Sequence, residues 1–82
     1  MPKYLDHHAA VNLPPAVAQQ VVAAIKAKTK DKHGVVHLNA FMGKSDAWCL
    51  SEAPNADAVC KAHEEVGLKL DKGNVVEVQS MV

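Results

Sequence analysis

Five histidines and two cysteines in an 82-residue chain are the residues whose types could do chemistry. Asp6-His7-His8 lies at the end of a short extended segment, so Asp6 and His8 share one side of the strand and His7 takes the other. A carboxylate and an imidazole on one side of a central strand supply two ligands to a borderline metal ion. The competing reading is a polar strand end with solvated side chains. Cys60 and His63 stand three apart on a helical stretch, with His63 on or beside its apolar stripe, where a satisfied core histidine is the commoner outcome. Cys49 falls on a strand against which that helix should lie. A thiolate and an imidazole brought together suit nickel, zinc or copper, and they also suit an activated nucleophile. For Cys49 alone the plain reading is a small buried hydrophobe. His37, on an apolar strand, reads first as an exposed strand residue and second as a further ligand. His33 reads as a cap of the first helix. No Gly-rich phosphate loop, Ser-His-Asp set or H-E-x-x-H motif occurs.

These groups need elements to position them. Residues 3–8 read as a first strand. Pro14-Pro15 opens a helix from about 15 to 32, with Asn12 as its capping oxygen. Its inner face is Val17, Val21, Ala24, Ile25 and Lys28. Lysines 26, 28, 30 and 32 crowd its end, meeting the negative pole of the helix dipole, and Gly34 supplies the stop. Residues 35–52 read as a β-hairpin turning at Gly43-Lys44-Ser45-Asp46. In strict alternation Val36, Leu38, Ala40 and Met42 oppose Val35, His37, Asn39 and Phe41, and Trp48 and Leu50 oppose Cys49 and Ser51. Asn55 caps a second helix, with Asp57 in its first turn, an inner face of Val59, Ala62, His63 and Val66, and Gly67 as its end. Gly73-Asn74 turns into a last strand, 75–78.

The order β-α-β-β-α-β is the split arrangement of the α+β ferredoxin-like fold, a four-stranded antiparallel sheet with two helices on one face. Strands one and three are expected in its centre. Residues 1–82 form a single domain, because this length supports only one core. Apolar residues are 49% of the chain, yet Ala and Val supply 25 of them and Tyr4, Phe41 and Trp48 are the only aromatics. Such a core is thin. A sheet apolar on both faces, in so small a chain, calls for a second copy over the open face, and a symmetric homodimer is expected.

Net charge is zero and arginine is absent, which removes both the general attraction to phosphate and its usual bidentate reader. Nucleic-acid binding is not expected. No apolar run reaches the roughly 18 residues of a membrane span, and the start lacks the apolar stretch of an export signal. The two cysteines are therefore expected as free thiols in the cytoplasm.

Three segments resemble one known family: Met1-Pro2-Lys3-Tyr4-Leu5-Asp6-His7-His8, Trp48-Cys49-Leu50-Ser51-Glu52-Ala53-Pro54, and Ala62-His63-Glu64-Glu65-Val66-Gly67. They are similar to the small nickel-binding, nickel-responsive bacterial proteins, a family otherwise largely uncharacterised, and the likeness spans nearly the whole chain. The resemblance implies a ferredoxin-like fold, a homodimer and bound nickel, with zinc as the competing ion. It implies metal ligands at Asp6, His8, Cys49, Glu52 and His63, with His7, His37 and Cys60 as further candidates. The doubled His7-His8, the extra Cys60 and the lack of arginine on the second strand depart from the family pattern. Binding with storage or sensing, rather than turnover, is the leading expectation. The alternative is a small dimeric enzyme, or a small-molecule binder, that uses Cys49 and His63.

Overall fold

A computed structural model describes residues 1–10, 14–79 and 81. The elements run β1 (Lys3–Ala9), α1 (Pro15–Ala27), β2 (Val36–Met42), β3 (Asp46–Glu52), α2 (Ala56–Glu65), a 3-10 turn (Lys72–Asn74) and β4 (Val75–Val78). All pairings are antiparallel, and the sheet order is β2-β3-β1-β4, with β1 and β3 central. This is the ferredoxin-like α+β architecture expected from the order of elements.

Directly paired residues share a face of an antiparallel sheet. Pairing of Tyr4 with Ser51, Asp6 with Cys49 and His8 with Ala47 sets these six on one face. Tyr4 meets Val59 and Ala62 of α2 in the core, which Val35, Ala53, Ala58 and Leu70 complete. The other face carries Leu5, His7, Trp48, Leu50, Phe41 and Val76. Phe41, Trp48 and Val76 are 52%, 37% and 57% exposed there, so that face is both apolar and open.

Local chemistry explains how α2 is placed. The Asn55 side chain accepts the Ala58 N–H at 2.9 Å, and Asp57 sits at the positive end of the helix. Gly67, at φ 80°, turns the chain away beyond the last turn. Val66, expected on the inner face, is 44% exposed because α2 ends at Glu65 and leaves it outside the helix.

The first helix is shorter than the sequence suggests. It stops at Ala27, where Lys28 takes the left-handed conformation at φ 52° and donates its N–H back to Ile25. Asp31 accounts for the early stop: its Oδ1 accepts the N–H groups of His33 at 2.8 Å and Val35 at 3.0 Å. A short carboxylate that gathers backbone donors in this way competes with helix. Gly34, at φ 81°, serves this loop rather than the helix end. Of the lysine cluster only Lys26 lies in the last helical turn. His33 caps nothing on α1; its Nε2 lies 3.3 Å from Glu65, which also receives Lys32 at 2.9 Å, tying the loop to the end of α2. Pro14 takes the N-cap position without a side-chain bond, and Asn12 lies outside the described residues.

Strand β2 departs from strict alternation. The register shifts between His37 and Asn39, leaving Leu38 as an extra residue. His37 therefore pairs with Ser51 and shares its face with Ala40 and Met42, while Asn39 and Phe41 fall on the other. Alternation from the sequence alone puts His37 beside Phe41, and the bulge reverses that.

Candidate metal centre

Asp6 and Cys49 face each other across the central strand pair, and His8 follows Asp6 by one full pleat. His63 descends from the buried side of α2 onto the same spot. One ligand atom from each of these four residues lies within 4.8 Å of the other three. His63 Nε2 is 3.4 Å from Asp6 Oδ1, His8 Nε2 is 3.9 Å from the same oxygen, and Cys49 Sγ is 3.9 Å from His8 Nε2. The His8 and His63 rings meet edge to face, with centroids 5.5 Å apart.

Backbone carbonyls orient both imidazoles. His63 Nδ1 is 2.9 Å from the Val59 carbonyl one turn earlier, and His8 Nδ1 is 2.9 Å from the Ala9 carbonyl. A carbonyl only accepts, so each Nδ1 carries a hydrogen and each Nε2 is directed toward Asp6. Metal-ligating histidines are held in the same way, the second nitrogen tied to a carbonyl or carboxylate.

Asp6 is the decisive residue. It is fully buried, and among the described residues no group donates a hydrogen bond to either carboxylate oxygen. An isolated buried carboxylate costs several kcal/mol unless a cation compensates it. Within the chain the nearest compensation is His63. Burial lowers the pKa of His63, but the proximity of the Asp6 carboxylate and of Cys49, with the Val59 carbonyl at Nδ1, outweighs it and raises the value from 6.5 to about 10. The ion-pair distance of 3.4 Å is longer than a good charged hydrogen bond. Two imidazole nitrogens, a sulfur and a carboxylate oxygen fit a borderline divalent transition ion, and thiolate with carboxylate would balance its charge. Hard, oxygen-seeking cations fit this set poorly.

The other sequence candidates lie apart. Glu52 shares the opposite side of β3 with Trp48 and Leu50, because it stands three residues beyond Cys49 on a strand of period two. His7 is on that same open face, 2.9 Å from Asp46 Oδ1, with its ring tilted against that of Trp48 at a centroid distance of 5.4 Å. Cys60 is partly buried against the core one turn before His63, outside the cluster. Both cysteines are free thiols. His37 borders the site: its ring lies 6.3 Å from that of His63, and its Nδ1 is 3.4 Å from the buried Ser51 hydroxyl. Burial lowers the His37 pKa, and the charge of His63 lowers it further, against smaller opposing effects of Asp31 and Asp6. What sequence reasoning misses here is backbone: the carbonyls of Val59 and Ala9, and the bulge that turns His37 inward. No residue type marks any of the three.

The family of nickel-responsive proteins like SCO4226 matches residues 4–78. Among solved structures, that of SCO4226 from Streptomyces coelicolor A3(2) is similar to this chain, with a TM-score of 0.70 at 26% identity, covering 98% of this chain and 99% of the other. No curated protein matches significantly. The chain belongs to the SCO4226-like nickel-responsive family.

Proposed function

We propose that this member of the nickel-responsive family binds nickel directly at Asp6, His8, Cys49 and His63, and stores or senses the ion in the cytoplasm without catalytic turnover. The observation that carries the reading is Asp6, a buried carboxylate without hydrogen bonds among the described residues, facing two imidazoles whose other nitrogens are already tied to carbonyls. A divalent ion would supply the missing counter-charge and displace the His63 proton. Nickel stands above cobalt and iron in affinity for such donors, and zinc is its natural competitor. The open sheet face, with Phe41, Trp48 and Val76 exposed, supports assembly as a homodimer across that face, away from the metal ligands.

Thermal unfolding with and without nickel tests the binding. At a free nickel concentration a hundredfold above the dissociation constant, linkage adds about 2.7 kcal/mol. The His8→Ala/His63→Ala double variant should lose this gain, while His33→Ala should keep it. Magnesium should give none. A full nickel shift in the double variant, or an equal shift from magnesium, would refute the site. Light scattering after gel filtration should give about twice the chain mass, and a monomer persisting at high concentration would refute the dimer.

A further inference from the structure

The four clustered donors are not equally sheltered. Asp6 is fully enclosed, and the side chains of His63 and His8 are 5% and 10% exposed. Cys49, like His8, is partly buried, whereas Asp6 and His63 are buried, so Cys49 and His8 form the more open side of the cluster. That sulfur lies 3.9 Å from His8 Nε2, the nitrogen left without a hydrogen when Nδ1 donates to the Ala9 carbonyl. A thiol so placed has a proton acceptor at hand on the less enclosed side of the cluster.

We infer that Cys49 is a peroxide-reactive thiol, and that its oxidation and metal occupancy exclude one another. The inference rests on the metal reading of the site for the second half only. In the metal-free protein the Cys49 sulfur attacks one oxygen of hydrogen peroxide. The S–O bond forms as the O–O bond breaks, and the sulfur gives up two electrons to become a sulfenic acid. The thiol proton passes to His8 Nε2 and then to the departing hydroxide, which leaves as water. A sulfenic acid is no longer a thiolate donor, so the cluster loses its soft ligand. A bound metal ties up the same sulfur lone pair and the same His8 nitrogen, which removes both nucleophile and base. A small-molecule dithiol reverses the change by reducing the sulfenic acid to thiol, with release of water.

Cys60 provides an internal standard. Burial, with Asp57 and Glu64 close by, pushes its thiol pKa up, and it lies outside the group formed by Asp6, His8, Cys49 and His63. Metal-free protein is pulsed with hydrogen peroxide, trapped with dimedone and mapped by peptide mass spectrometry. Cys49 should be labelled at least about tenfold faster than Cys60, as expected for a thiol beside a base. His8→Ala should slow labelling at Cys49 and leave Cys60 unchanged. Equal rates at the two cysteines, or a His8→Ala variant labelled at the wild-type rate, would overturn the reactivity. Protein loaded with nickel, its loading verified by the thermal shift, should lose Cys49 labelling. Peroxide-treated protein should show no nickel shift until dithiothreitol restores it. Undiminished labelling of the nickel-loaded protein would overturn the exclusion while leaving nickel binding intact. Absence of any nickel shift in untreated protein would instead refute the metal reading and the exclusion with it, while selective, His8-dependent labelling would still establish the reactive thiol.

Discussion

The two helices of this fold reverse what their compositions suggest. Helix α1, PAVAQQVVAAIKA, is apolar around most of its circumference, yet none of its residues is fully buried. Helix α2, ADAVCKAHEE, is half polar, yet it buries Ala58, Val59, Ala62 and His63 and supplies both core and site. The difference lies in arrangement. The apolar residues of α2 fall on one stripe that fits the sheet at Tyr4 and Asp6, and a side-chain cap fixes its start. Helix α1 packs chiefly along the edge strand β2, starts without a side-chain cap and ends on a strained lysine. Amount of apolar surface and stability contribution are therefore separate quantities in this chain.

The sharpest way to break the contrast is through His63. His63→Gln leaves the buried Asp6 carboxylate without its cationic partner and should cost about 3 kcal/mol in the metal-free protein, read by urea unfolding. The sign of the pH dependence follows from the raised His63 value. Its stabilisation is fully present below about pH 6.5 and is lost as pH rises through about 10, so the metal-free protein should weaken across that window and His63→Gln should not. Next in size, Val59→Ala removes two methyls from a fully enclosed site on α2 and should cost about 2 kcal/mol in the same assay. Lys28→Gly relieves the left-handed end of α1 and should gain about 0.5 kcal/mol, seen as a higher unfolding midpoint. Smallest of all, Val22→Ala on the 48% exposed side of α1 should stay within about 0.5 kcal/mol of wild type. A Val22→Ala loss matching that of Val59→Ala would erase the distinction between the helices.

Most of the fold is legible in the residues. Pro15, Asn55 and Gly67 mark helix ends through fixed φ, a side-chain acceptor and a permitted positive φ, and such local signals survive folding. The end of α1 is not legible in the same way, because the Asp31 carboxylate competes for backbone donors two and four residues ahead, which periodicity does not register. Within the site, the period of two pairs Asp6 with His8 and separates them from His7, and it also argues against Glu52. Placing His37 requires the register shift after it, a tertiary outcome of β2 meeting β3. The resemblance to nickel-responsive proteins brings Glu52 in as a ligand, and the strand geometry sets it on the far face. Imidazoles, thiol and carboxylate can be read as types, while the direction in which each points is set by carbonyls that any residue could provide.

Strand β1 also acts as a proofreader of its own pairing. In the native register its inward residues are Tyr4, Asp6 and His8. A slip of one residue would present Leu5, His7 and Ala9 instead, since every side chain changes face. The slipped strand would still offer an imidazole to α2, because the histidine is doubled, but the carboxylate would be turned onto the open apolar face. An ion that needs both groups would reward only the native alignment, and its binding energy would widen the gap between correct and shifted chains. The same logic constrains inheritance: a one-residue insertion or deletion before Asp6 within this strand cannot be absorbed quietly, whereas one in the loop after Met42 leaves all four clustered donors on their elements.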